Sequence, residues 1–196
     1  MSAARCQAVV DEMPVAESDE SLMLQVRAGH VGKMAELFER HHRPVFNYFY
    51  RVTGNPSLAE DLVQDVFLRM LKYRDSYQPR TSFPAWMYQV AKNAHIDAIR
   101  KRRLETFWKE DAPEPRSSEV PAEERLAAEQ DTVLLRQALA SLPADKREVL
   151  VLSRYQNLKY EEIGQVLGCD ANAVKQRVFR AVRALGDKYS ELVRRK

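Results

Sequence analysis

Between Ala171 and Leu185 the chain sets Asn172, Lys175, Gln176, Phe179, Arg180 and Arg183 on the outer side of a helical repeat, with Arg177 at its margin. The amides can pair with adenine, and the cations can neutralise phosphates or donate to guanine. A helix also has the width of the DNA major groove. The solvated face of any bundle helix would carry similar charge, so the neighbouring residues decide between the two readings. Val174, Val178, Ala181 and Leu185 recur at i, i+4, i+7 and i+11 and predict a buried stripe. Upstream, Tyr160 to Leu167 reads as a short helix and Gly168-Cys169-Asp170 as a tight turn with Asp170 as N-cap. Gly164 is small enough for the two helices to approach. The pattern is a helix-turn-helix, which with the basic bias favours duplex binding.

A second group is aromatic. Tyr73, Tyr77, Phe83, Trp86 and Tyr88 surround the loop Asp75 to Ser82, and the helix beyond carries Lys92, Asn93, Arg100, Lys101, Arg102 and Arg103. Rings stack on unpaired bases while cations follow the phosphate backbone, the makings of a single-strand platform. Phe83 and Trp86 also stand at a spacing that suits a core, so both roles stay open here. A third group is acidic: Leu62, Val66 and Met70 form an inward stripe widened by Val63 and Phe67, leaving Asp61, Gln64, Asp65 and Leu68 outside.

Catalytic and metal chemistry find no comparable foothold. His41 and His42 diverge by about 100° around a helix, His30 and His95 are isolated, and no carboxylate joins them at ligand spacing. Neither a glycine-rich phosphate loop nor a serine nucleophile elbow occurs, and Glu161-Glu162 sits in a first turn where the helix dipole accounts for it. No catalytic residue, metal or cofactor is expected.

The elements that must hold these groups are helical throughout. Leu22 to Ala28 and Lys33 to Val52 form two segments, and Thr53-Gly54-Asn55-Pro56 breaks the chain before Ser57 caps a helix to about Tyr73. After the loop, Ser82 caps and Pro84 enters a helix reaching Arg103 with Trp86, Val90 and Ala94 inward. A further helix runs from near Glu123 to Leu142, and Pro143 opens another to about Gln156.

Charge divides the same chain. Its 196 residues hold 31 Lys and Arg against 28 Asp and Glu, for a net charge of +3. Residues 1–20 carry −4, 21–103 carry +7, 104–132 carry −6 and 133–196 carry +6. The stretch 104–132 also holds Pro113, Pro115 and Pro121, a composition that suits a flexible linker. The expected architecture is all-α: an acidic N-terminal extension (1–20), a helical bundle (21–103), an acidic linker (104–132) and a helix-turn-helix domain (133–196). With 45% apolar residues and only 6 Gly, collagen-like and low-complexity chains are excluded. No window approaches the roughly 18 apolar residues of a membrane span, and the first ten residues lack a secretory apolar stretch, so a cytoplasmic protein without membrane insertion is expected. Cys6 and Cys169 are too few and too far apart for a disulfide framework. Cys169, at the turn, is read as apolar filling rather than a redox sensor.

Several motifs together, Asp61-Leu62-Val63-Gln64-Asp65-Val66-Phe67, Phe83-Pro84-Ala85-Trp86, Ala91-Lys92-Asn93, Asp97 to Arg100, Leu142-Pro143 and Tyr160-Glu161-Glu162-Ile163, resemble the extracytoplasmic-function (ECF) sigma factors of bacteria. The likeness covers roughly 20–103 and 133–190. It implies an initiation factor without enzymatic activity that directs core RNA polymerase to promoters under an anti-sigma factor. Asp61, Gln64, Asp65 and Leu68 then correspond to the docking face for the clamp helices of the largest subunit, the flap region being a further polymerase contact. Tyr77, Phe83, Trp86, Lys92, Asn93 and Arg100 fall to the melted minus-ten element, one base of which is flipped out. Asn172, Lys175, Gln176, Arg177, Phe179, Arg180 and Arg183 fall to the minus-thirty-five duplex. Asp97 is expected to pair locally with Arg100 or Lys101. Lys159 replaces the family's usual Ser N-cap, and Asp170-Ala171-Asn172-Ala173 replaces its Gly-Thr, so the promoter sequence does not carry over. The alternative is a stand-alone helix-turn-helix regulator whose first domain senses a ligand or dimerises.

Overall fold

The computed structural model describes residues 17–108 and 128–195, and all of its regular structure there is helical. Helix α1 (Asp19–Arg27) starts where Ser18 accepts from the Ser21 N–H at 3.2 Å. After a 3-10 turn, α2 (Met34–Thr53) ends on Gly54 at φ 70, a left-handed conformation that glycine adopts without a Cβ penalty. The cap of α3 (Pro56–Lys72) is Asn55, which accepts from the Leu58 N–H at 3.0 Å; this corrects the expectation of Ser57 and follows from Pro56 occupying the first helical position. Helix α4 (Phe83–Trp108) continues five residues past the expected end at Arg103. Ser82 spends its hydroxyl on a distant carboxylate, Glu162.

The second group comprises α5 (Ala128–Ala140), α6 (Ala144–Leu150), a π-helical turn Val151–Tyr155, α7 (Tyr160–Leu167) and α8 (Ala171–Arg194). Residues 104–108 and 128–132 of the expected linker are thus helical, and 109–127 lie outside the described residues, as do 1–16 of the acidic extension. The single helix expected from Pro143 to Gln156 is interrupted, because the π turn inserts one residue into the repeat. Helix α8 runs nine residues beyond Leu185.

Apolar burial explains the packing. Leu22, Val26, Leu37, Tyr48, Phe49, Val66 and Met70 are wholly removed from solvent, as are Val151, Leu152, Ile163, Val174 and Ala181 in the second group. One continuous buried cluster joins the two groups, with α4 lying against α7 and α2 against α5, α6 and the π turn.

Candidate functional site

The helix-turn-helix forms from short-range rules. Gly168 closes α7 at φ 67, and Asp170 accepts from the Ala173 N–H at 2.8 Å. A Cβ at Gly164 would lie 2.5 Å from the Cys169 carbonyl oxygen, so only glycine permits this approach of α7 to the turn. Lys159 has no lone pair with which to cap α7. Glu162 compensates by accepting from the Lys159 N–H at 2.8 Å, half of a capping box.

On α8, Val174, Val178 and Ala181 are buried, and Leu185 is half-buried. Asn172, Lys175, Gln176, Arg177, Phe179, Arg180 and Arg183 are all exposed, Arg177 included. Among the described residues Arg180 bonds only the Gln176 carbonyl of its own helix, leaving its charge outward. Phe179, 61% exposed among cations and amides, can meet a thymine methyl. The face combines cations, amides and one exposed ring on a single helix.

On α3, Asp61, Gln64 and Leu68 are exposed, Leu68 by 66%. Asp65 is half-buried and accepts from Arg69 Nε at 2.9 Å, while the other arm of Arg69 donates to Asp97 at 2.6 Å. Asp97 is therefore clamped from α3 rather than by Arg100 or Lys101, which corrects the local pairing expected. Hydrogen bonding to Arg69 holds the Asp97 carboxyl below its ordinary pKa, and the two carboxylates raise that of Arg69. An exposed leucine flanked by acids is left facing outward.

The aromatic group divides. Tyr77, Phe83 and Trp86 are 0, 0 and 6% exposed: they are core residues, and the expected stacking platform at those positions is corrected accordingly. Tyr77 lies edge-on to Trp86 at 5.2 Å and to Phe83 at 6.4 Å, and Trp86 Nε1 donates to Ser76 Oγ at 3.4 Å, which pins the loop. Burial pushes the Tyr77 hydroxyl up to about 12. The ring that remains available is Tyr73, 49% exposed at the end of α3. It borders a concavity of about 380 Å3 lined also by Arg69, Val90, Asn93, Ile96, Asp97 and Arg100. The structure thus brings Asn93 and Arg100 together with an exposed ring that the sequence placed in the aromatic group but not among the minus-ten residues. Lys92, one residue and about 100° around α4 from Asn93, faces the second group and donates to the Val166 carbonyl at 3.2 Å.

None of the described residues forms a His, Cys, Asp and Glu cluster able to hold a metal. No described helix is long and apolar enough to cross a membrane.

Two family profiles match the chain: Sigma-70 region 2 over residues 37–105 and Sigma-70, region 4 over residues 132–185. The ECF RNA polymerase sigma factor SigE of Mycolicibacterium smegmatis is 34% identical over 159 residues, 78% of this chain and 60% of that protein. The RNA polymerase sigma factor CarQ of Myxococcus xanthus is 33% identical over 172 residues, 87% of this chain and 97% of that protein. In fold, the chain resembles the sigma factor RpoE of Bartonella quintana, solved with the anti-sigma factor NepR, at a TM-score of 0.67 and 24% identity, covering 80% of this chain and 96% of that one.

Proposed function

Because the chain belongs to the ECF family of RNA polymerase sigma factors, we propose that it binds core polymerase and directs it to promoters, the polymerase alone performing synthesis. The observation that carries this reading is the pairing of two unlike exposed faces. One is the cationic base-reading side of α8, and the other is Leu68 among the acids of α3. A regulator dimerising through α3 would set Asp61 and Asp65 against their own copies across a two-fold axis, so the second face suits a different partner.

In this reading the bundle, 21–103, docks through Asp61, Gln64, Asp65 and Leu68 on the clamp helices of the largest subunit. The second domain, 133–196, lies at the flap region and reads the minus-thirty-five duplex through Asn172, Lys175, Gln176, Arg177, Phe179, Arg180 and Arg183. The concavity beside Tyr73 takes a base of the melted minus-ten strand, with the Asn93 amide on its edge, the ring stacking on it and Arg100 on its phosphate. Lys92 adds a backbone contact once it is free of the Val166 carbonyl. An anti-sigma factor, as in the Bartonella complex, is the expected inhibitor.

Purified chain added to core polymerase and a supercoiled plasmid library should yield discrete transcripts that core polymerase alone does not make. If transcripts appear only when another sigma factor is present, the regulator reading replaces this one.

A further inference from the structure

Helix α1 belongs to neither face described above, yet side chains from its two ends hold both ends of the loop between α3 and α4. Arg27, in its last turn, is half-buried and donates from Nη1 to the Tyr77 carbonyl at 3.0 Å. Glu20, in its first turn, accepts from the Phe83 N–H, the first of α4, at 3.3 Å. That N–H has no partner within its own helix, and Ser82 has given its hydroxyl to Glu162, so Glu20 takes over the cap. Helix α1 is itself seated on the bundle. Its Leu22, Met23 and Val26 are 0% exposed, and Asp19 holds Arg40 at 2.8 Å and His41 at 2.7 Å, both from α2.

Between these anchors the loop closes on itself. The Thr81 N–H donates to the Gln78 carbonyl at 2.9 Å, the i to i+3 bond of a β-turn whose second residue, Pro79, has its φ already set for the position. At the base of the turn Tyr77, 0% exposed, donates its hydroxyl to the Thr81 carbonyl at 3.1 Å. Burial first, then the charges of Glu20 and Asp19, push that hydroxyl up to about 12, so it stays a donor at neutral pH. Gln78, Pro79 and Arg80 are left exposed at the tip of a loop bonded at both ends and across its middle, and Arg80 has no ion pair among the described residues. An amide and a cation held this way can meet a base and a phosphate of an unpaired strand without first being ordered, which spares the binding that entropy.

We propose that Arg27 and Glu20 are positioning residues of the single-strand site: acting from α1, they fix the loop so that Gln78 and Arg80 contact the unpaired strand in addition to Tyr73, Asn93 and Arg100. The inference rests on the single-strand reading above and deepens it by assigning the loop tip and the side chains that place it.

Full-length Trp108→Phe protein keeps Trp86 as its one tryptophan, and Trp86 Nε1 donates to Ser76 Oγ inside the loop, so its fluorescence reports on loop order. In that background, anisotropy of a labelled oligothymidylate measures affinity for the parent, Arg27→Ala, Arg80→Ala and the double variant. Arg80→Ala should lose about fivefold at 100 mM salt, the release of one counterion at roughly 0.7 per single-strand phosphate, with Trp86 as protected from acrylamide as before. Arg27→Ala should lose about as much, with Trp86 more readily quenched and helical circular dichroism retained. The double variant should bind within about twofold of Arg80→Ala, because a tip without its cation leaves Arg27 little to position. Losses that multiply to about 25-fold make the two residues independent and overturn the proposal. So does an Arg27→Ala or Arg80→Ala protein that binds like its parent. Should Arg27→Ala lose its helical signal, Glu20→Ala carries the same cycle, since α1 keeps its apolar side buried. A parent protein that does not bind the oligonucleotide overturns the single-strand reading itself, a result distinct from binding that ignores Arg27.

Discussion

Replacing Arg177 and Arg180 of α8 by Ala tests the duplex-reading face directly. Both side chains are exposed, and among the described residues the only bond either makes is that of Arg180 to its own helix, so the core at Val174, Val178 and Ala181 should be undisturbed. Alanine is also the better helix former. If Lys175, Arg177, Arg180 and Arg183 each neutralise one phosphate, the slope of log K against log salt is about −3.6, at roughly −0.9 per phosphate. Affinity should then fall about 150-fold between 50 and 200 mM salt. Removing two contacts halves the slope to about −1.8 and the fall to about 12-fold. Fluorescence anisotropy of the full chain on a 20-base-pair duplex across a salt series reads this out. A double variant with the wild-type slope would refute the assignment of that face.

Three further outcomes are expected. Tyr73→Ala should weaken binding of a labelled oligothymidylate by about 1–3 kcal/mol while Tyr73→Phe retains it, because the ring supplies the stacking; equal losses in both variants would point to the hydroxyl instead. Gly164→Ala should lower stability by about 1–3 kcal/mol, seen as a fall in Tm, since the new Cβ meets the Cys169 carbonyl, and an unchanged Tm would contradict that close approach. His95, in α4, lies 6.4 Å from the Phe49 ring and near Arg147 of α6; burial first, then the Arg147 charge, hold its pKa below the ordinary imidazole value. The neutral ring therefore suits the folded packing, and its contribution to stability is full above about pH 6.5 and declines as pH falls below it. Thermal melts should show a fall in Tm between pH 7.5 and 5.5 that is smaller in His95→Gln, and an equal fall in both would remove His95 as its cause.

What was legible in the sequence is what short-range chemistry controls. Gly54, Pro56, Pro143 and the Gly168-Asp170 turn mark breaks that any tertiary context must respect, and the Leu62, Val66, Met70 and Val174, Val178, Ala181 stripes decide which sides face inward. The aromatic site was harder, because a ring's chemistry is the same buried or exposed. Tyr77 sits in a loop where periodicity says nothing, and Tyr73 follows the last residue of α3, just outside the repeat. Asp97 finds Arg69, 28 residues away, where an i, i+4 rule cannot look. The π turn has no sequence signature of comparable strength. Its extra residue shifts the helical phase by about 100°, and Tyr155 and Gln156 beyond that shift meet Arg51 and Tyr88.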